Sequence, residues 1–165
     1  MSFFQFKTIQ EFKVESFVNK TFLWIIHADK IPPHIALSVN EQYFSLKING
    51  KDIQNVQTIL SFIIKKKIPF ILVELTHDSS YEKRFDIIVN KYPQVNHQIT
   101  CIVPLIEILL NKTKSFILPE LLNELNQKKR IVNYFGLFLP NFHHFVLSYN
   151  KNDVQQRVNQ LLNKK

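Results

Sequence analysis

HIALSVNEQYFSLKI, residues 34–48, decides the fold. Two short runs rich in β-branched, aromatic and other apolar residues flank Asn40, Glu41 and Gln42. Strands joined so tightly must pair antiparallel, because a parallel pair needs a dozen or more residues to return. No Asn-Gly turn is present, so the spacing predicts a three-residue or slightly longer loop. Just upstream, TFLWIIH (21–27) is almost continuously apolar, as expected of a strand covered on both faces.

Downstream the period changes. In IQNVQTILSFIIKKK (53–67), Val56, Ile59, Leu60, Ile63 and Ile64 recur at helical spacing, and three lysines sit where the helix dipole favours cations. Pro69 ends that helix and FILVELT (70–76) reads as a second buried strand. A helix is expected over 81–92. Another should begin near Cys101, since Pro104 is tolerated only in a first turn, with Thr100 as its cap. Pro119 opens PELLNELNQKKR as a helix. HFVLSYN (144–150) reads as a strand, and DVQQRVNQLL as a helix capped by Asn152 or Asp153, with Val154, Val158, Leu161 and Leu162 on one face. The expected class is α+β, with a small, mainly antiparallel sheet around residues 21–76 and helices packed on it.

At 165 residues with no flexible linker, a single domain spanning 1–165 is expected. Two glycines, Gly50 and Gly136, are too few for a phosphate-cradling loop. One cysteine excludes an internal disulfide and a multi-cysteine zinc site. The N-terminal MSFFQFKTIQEF has no basic flank before a long apolar segment, and no apolar run approaches the ~20 residues of a membrane span. A cytoplasmic protein without a cofactor is therefore expected.

The net charge of +8 is uneven. Residues 1–110 carry 12 basic and 10 acidic side chains, a net of +2, whereas residues 111–165 carry 9 and 3, a net of +6. Such a basic third can be an ordinary solvated face or can meet an acidic protein or nucleic acid.

The chemistry-bearing residues are His34 at a strand start and Cys101 at a helix start. A helix N-terminus stabilises a thiolate, and a nearby imidazole can take the thiol proton. Either residue can also be purely structural, Cys101 as a small buried hydrophobe and His34 as a strand cap. His27, Asp29 and His34 form a weaker cluster that a metal-dependent hydrolase would use, although H-x-D-x4-H matches no recurrent ligand spacing. Trp24 belongs to the core, and His143 and His144 should point to opposite faces of a strand.

Three stretches in this order carry a resemblance: HIALSVNEQYFSLKINGKD (34–52), IQNVQTILSFIIKKKIPFILVEL (53–75) and YPQVNHQITCIVPLIEILL (92–110). Together they resemble the circularly permuted NlpC-type, papain-like hydrolases, which include the lecithin:retinol acyltransferase-like proteins. The similarity covers about residues 21–125, leaving 126–165 as a basic strand-helix extension. It departs from the family at Ala36, where Gly is common, and at Thr100, where Asn is common. The resemblance implies a cysteine hydrolase or acyltransferase acting on a small-molecule, peptide or lipid acyl group. Cys101 would be the nucleophile, His34 the general base, Ser45 or Asp29 its orienter, and the Ile102 backbone N–H an oxyanion donor. The competing expectation is a non-catalytic module whose basic residues 111–165 bind a partner.

Overall fold

A computed structural model of the chain describes residues 1–140 and 145–164. The run opening at Thr21 forms β3 (Thr21–Ile26), and all six of its residues are buried. A strand of that kind needs cover on both faces and a partner on both edges. It pairs antiparallel with β4 (His34–Val39) and with β7 (Phe70–Leu75), in each case over its full length. β5 (Gln42–Lys47) and β6 (Gly50–Asn55) extend the sheet beyond β4. β8 (Ile131–Leu137) and the two-residue β2 (Gln10–Glu11) extend it beyond β7. The order is β2-β8-β7-β3-β4-β5-β6, antiparallel throughout except for β2 against β8. β1 (Ser2–Gln5) and β9 (Val146–Tyr149) make a separate antiparallel ribbon. The fold is α+β with a mainly antiparallel sheet.

Strand alternation sorts the core into two layers. Leu23, Ile25, Ile35, Leu37, Phe44, Leu46, Ile71 and Val73 face one side. There they meet α2 (Ser79–Ile88), α3 (Ile102–Leu109), α4 (Leu118–Gln127) and α5 (Lys151–Leu162). Phe22, Trp24, Ala36, Tyr43, Phe70 and Leu72 face the other side, under α1 (Val56–Lys65) and Phe17. Trp24 sits across from Ala36 and Leu72. Its indole N–H donates to Ser38 Oγ at 2.9 Å, with both residues fully buried.

Several local expectations need correction. The 34–48 hairpin turns through two residues, Asn40 and Glu41, because Val39 pairs directly with Gln42. Asn40 takes the left-handed conformation that asparagine tolerates (φ 54°). Residues 53–55 belong to β6, and α1 starts only at Val56, capped by the Asn55 side chain on Gln57 N–H. Ile64 lies on the solvent side of α1. Asp78 caps α2 at Ser79, and that helix ends at Ile88, short of residue 92. Thr100 caps nothing with its side chain: Cys101 holds the cap position of α3. Asn150 caps α5 in a capping box with Asp153, so neither Asn152 nor Asp153 is the cap. The sheet is larger than residues 21–76, and residues 126–165 are no appendage, since β8 lies between β7 and β2. His143 and His144 lie outside the described residues.

Ser38→Ala tests the inner layer. It strands a buried indole N–H, so the urea midpoint should fall by the equivalent of roughly 1–3 kcal/mol. A change within ~0.3 kcal/mol, far below an orphaned buried donor, would show the hydrogen bond to be dispensable.

Candidate functional site

β3 and β4 stay registered down to Ile26 opposite His34, and β5 and β6 down to Lys47 opposite Gly50. Between them, β4 and β5 are registered only from Leu37–Phe44 to Val39–Gln42. Below Leu37 the two strands part, and a cavity of about 1250 Å³ occupies the opening. Its walls include Ile35 of β4, Leu46 and Lys47 of β5, Cys101 and Ile102 at the start of α3, and His34. Most of the lining is apolar, from Ile59 and Ile63 of α1 to Val154, Val158 and Leu161 of α5.

Cys101 and His34 thus share one cavity but reach it from different sides. Cys101 packs with the helical layer, and its thiol interacts with the Ile35 backbone. His34 has the alternation parity of Ala36 and Ser38, which sets it on the α1 side of β4. Its Nε2 is buried and makes no hydrogen bond. Ser45 Oγ, on the facing part of β5, is also buried without a hydrogen bond; Tyr43 leans toward it at poor geometry. Such orphaned polar atoms are uncommon, because burying a polar group unpaired costs about 1–3 kcal/mol.

Electrostatics here is governed by desolvation. Burial, with help from the Lys47 and His27 charges, lowers the His34 pKa to about 4, against a smaller opposing pull from Asp52. The imidazole is therefore neutral at pH 7, as a general base must be. Burial raises the Cys101 pKa, outweighing its interactions with the Ile35 and Cys101 backbone. The resting thiol is protonated, contrary to the expectation that the helix start would depress its pKa. The dipole is worth only about 0.3–1 kcal/mol at a helix terminus, too little against removal from water. Burial likewise raises Tyr43 and Tyr149, each within electrostatic range of Cys101.

Of the two suggested orienters, Ser45 lies on the right face, whereas Asp29 sits in the exposed turn and acts on His27. The carboxylate that reaches His34 is Asp52 of β6, which carries no local sequence signal because only the β5–β6 pairing sets it near His34. Asp52 pairs with Ser45 across the β5–β6 ladder and holds Lys47 at 2.6 Å and Gln54 at 2.6 Å. His27 takes a left-handed backbone (φ 55°) in a turn closed by Lys30 N–H on His27 O at 2.9 Å. Among the described residues no three His, Cys, Asp or Glu side chains come together as a metal site. The His27–Asp29–His34 cluster does not assemble, because the turn keeps Asp29 in solvent while His34 is turned into the protein.

Among the described residues no helix is long and apolar enough to cross a membrane. Compared with known proteins, the chain matches no family model, no curated protein and no solved structure.

The depressed His34 pKa has a stability consequence with a definite sign. Between the unfolded value of 6.5 and about 4, the unfolded chain binds a proton at this site that the folded chain refuses. His34 therefore contributes stability that is complete above pH 6.5, is lost as pH falls toward 4, and levels off below. The loss should reach up to roughly 3 kcal/mol. Urea midpoints across this window should flatten in His34→Asn relative to the parent chain; identical slopes would show that His34 is not held neutral.

Proposed function

We propose that the chain is a cysteine hydrolase or acyltransferase in which Cys101 attacks an acyl carbonyl and His34 takes the thiol proton. The observation that carries this reading is the shared cavity: Cys101 at the start of α3 and a neutral imidazole with an unpaired Nε2 at the start of β4 line one apolar opening. The resemblance of residues 21–125 to the permuted papain-like hydrolases supports the same roles. A lone free thiol suits a reducing, cytoplasmic compartment.

The reaction follows from neutral partners. The carbonyl enters the cavity that Cys101 and His34 line from different sides; as the C–S bond forms, the thiol proton passes to His34 through a bridging water, leaving an imidazolium and an oxyanion. Val103 N–H closes onto Thr100 O at 3.2 Å. The opening amides of Cys101 and Ile102 have no intrahelical acceptor and donate to the oxyanion. Collapse of the tetrahedral adduct expels an amine or alkoxide, which takes the proton from His34. Water or an acceptor alcohol or amine, deprotonated by His34, then releases the acyl group. Asp52 steadies the transient imidazolium through space, since it is the carboxylate whose charge reaches His34. The apolar walls favour an acyl chain over a charged peptide.

The alternative, a module that docks an acidic protein or nucleic acid through residues 111–165, draws on Lys112, Lys114 and Lys129, which form no ion pair among the described residues. It predicts salt-dependent retention on a polyanion column with no turnover.

The test uses an alkyl-chain iodoacetamide alongside plain iodoacetamide, and a panel of acyl esters and amides. Because the resting thiol is protonated and buried, plain iodoacetamide should label Cys101 slowly and the chain-bearing probe faster. Cys101→Ala should abolish labelling and turnover. His34→Ala should slow turnover by ~10²-fold or more, as expected for loss of a positioned base. If the parent chain cleaves nothing in the panel and His34→Ala labels at the parent rate, the catalytic reading falls.

A further inference from the structure

The outer part of the same cavity carries a charge pattern that acyl transfer alone does not explain. Lys30 from the β3–β4 turn, Arg157 from α5, and Lys164 just beyond the end of α5 line it. Lys47, also on the cavity wall, is committed to Asp52 at 2.6 Å. Asp52 is the one acidic residue among the described lining residues. Among the described residues, Lys30, Arg157 and Lys164 have no carboxylate within ion-pair distance. Lys30 and Arg157 line this cavity together with His27, and the charge of each lowers the His27 pKa. Asp29 opposes them there but is not part of the cavity wall.

Unpaired cations on an ordinary surface are solvated and need no ligand. These cations border an apolar cavity whose exposed margin includes Ile31, Phe62 and Phe116 and whose wall carries one orphaned polar atom, His34 Nε2. Low-dielectric walls strengthen the field of charges beside them, so an anion at this mouth gains more than one in open water. Arginine offers a planar fork that matches a carboxylate or phosphate in bidentate fashion. We propose that the ligand of this cavity is an anionic amphiphile: a carboxylate or phosphate seated between Lys30 and Arg157 at the mouth, with an apolar chain running inward toward Cys101 and His34. This deepens the acyl-transfer reading and rests on it for the reacting end, whereas binding itself needs no intact thiol.

The experiment uses the full chain carrying Cys101→Ala, so that binding is measured without turnover. Dodecanoate, dodecyl phosphate and dodecanol are titrated below their aggregation limits at low salt and again at high salt. At least one anion should bind about tenfold or more tightly than dodecanol, with a preference that shrinks in salt. The stronger of the two anions identifies the head group as carboxylate or phosphate. Adding Arg157→Gln or Lys30→Gln should weaken the preferred anion by roughly three- to tenfold and leave dodecanol unchanged. Lys83→Gln, on α2 away from the cavity, should change neither. Equal affinity for dodecanol and both anions, no binding of any chain, or the same loss from Lys83→Gln as from Arg157→Gln would overturn the proposal. If the anion preference holds but the parent thiol cleaves no ester, the acyl-transfer reading fails while the anion site stands.

Discussion

The structure depends on β3 being paired over its whole length on both edges. Its six buried residues commit 12 backbone polar groups to the interior, and only strand partners on each side can satisfy them. β4 and β7 supply those partners with an unbroken register of six residue pairs apiece. Alternation then fixes which side chains enter which layer, and a slip of one residue would exchange the two cores. The bulk of Trp24 is accommodated because its neighbour across the ladder is Ala36. The hydrogen bond from its indole to Ser38 ties β3 to β4 within the layer under α1.

That rigid centre makes the parting of β4 from β5 consequential. β4 cannot move toward β5 below Leu37 without leaving β3, because its pairing there continues to His34. The gap is filled from outside by the start of α3, which brings Cys101 against the Ile35 backbone. The cavity is thus a product of two well-formed hairpins that diverge, and its floor is as stable as the sheet. The same geometry desolvates both groups, so a protonated thiol and a neutral imidazole line one cavity where an isolated helix start and strand end would leave them nearer their solution behaviour.

The basic C-terminal third has two separable roles. Arg130 is internal wiring: it donates to Tyr81 Oη at 2.7 Å and to Leu109 O at 3.1 Å, and lies 3.8 Å from Asp78. Lys128 pairs with Glu124 along α4. By contrast, Arg157 and Lys164 line the cavity with no ion-pair partner among the described residues. Net charge alone therefore overstates the surface open to an acidic partner, because part of it holds helices together.

What the sequence by itself determined is local. The two apolar runs at 21–27 and 70–76, the tight 34–48 connection and the prolines at 69, 104 and 119 carry enough hydrophobic period and backbone restriction to specify strands, hairpin and helix starts. His34 and Cys101 were legible as element-opening residues for the same reason. The tertiary structure alone decided the rest. β8 is half-exposed, and a short strand becomes one only when β7 offers its edge. β6 was hidden because Ile53 continues the helical period of α1, and only pairing with β5 pulls it into the sheet. Asp52, Lys30 and Arg157 carry no local signal, since a charged residue acquires a role only from what the fold sets beside it. The thiol and imidazole pKa directions were equally out of reach, because desolvation is a property of the closed cavity and not of any stretch of chain.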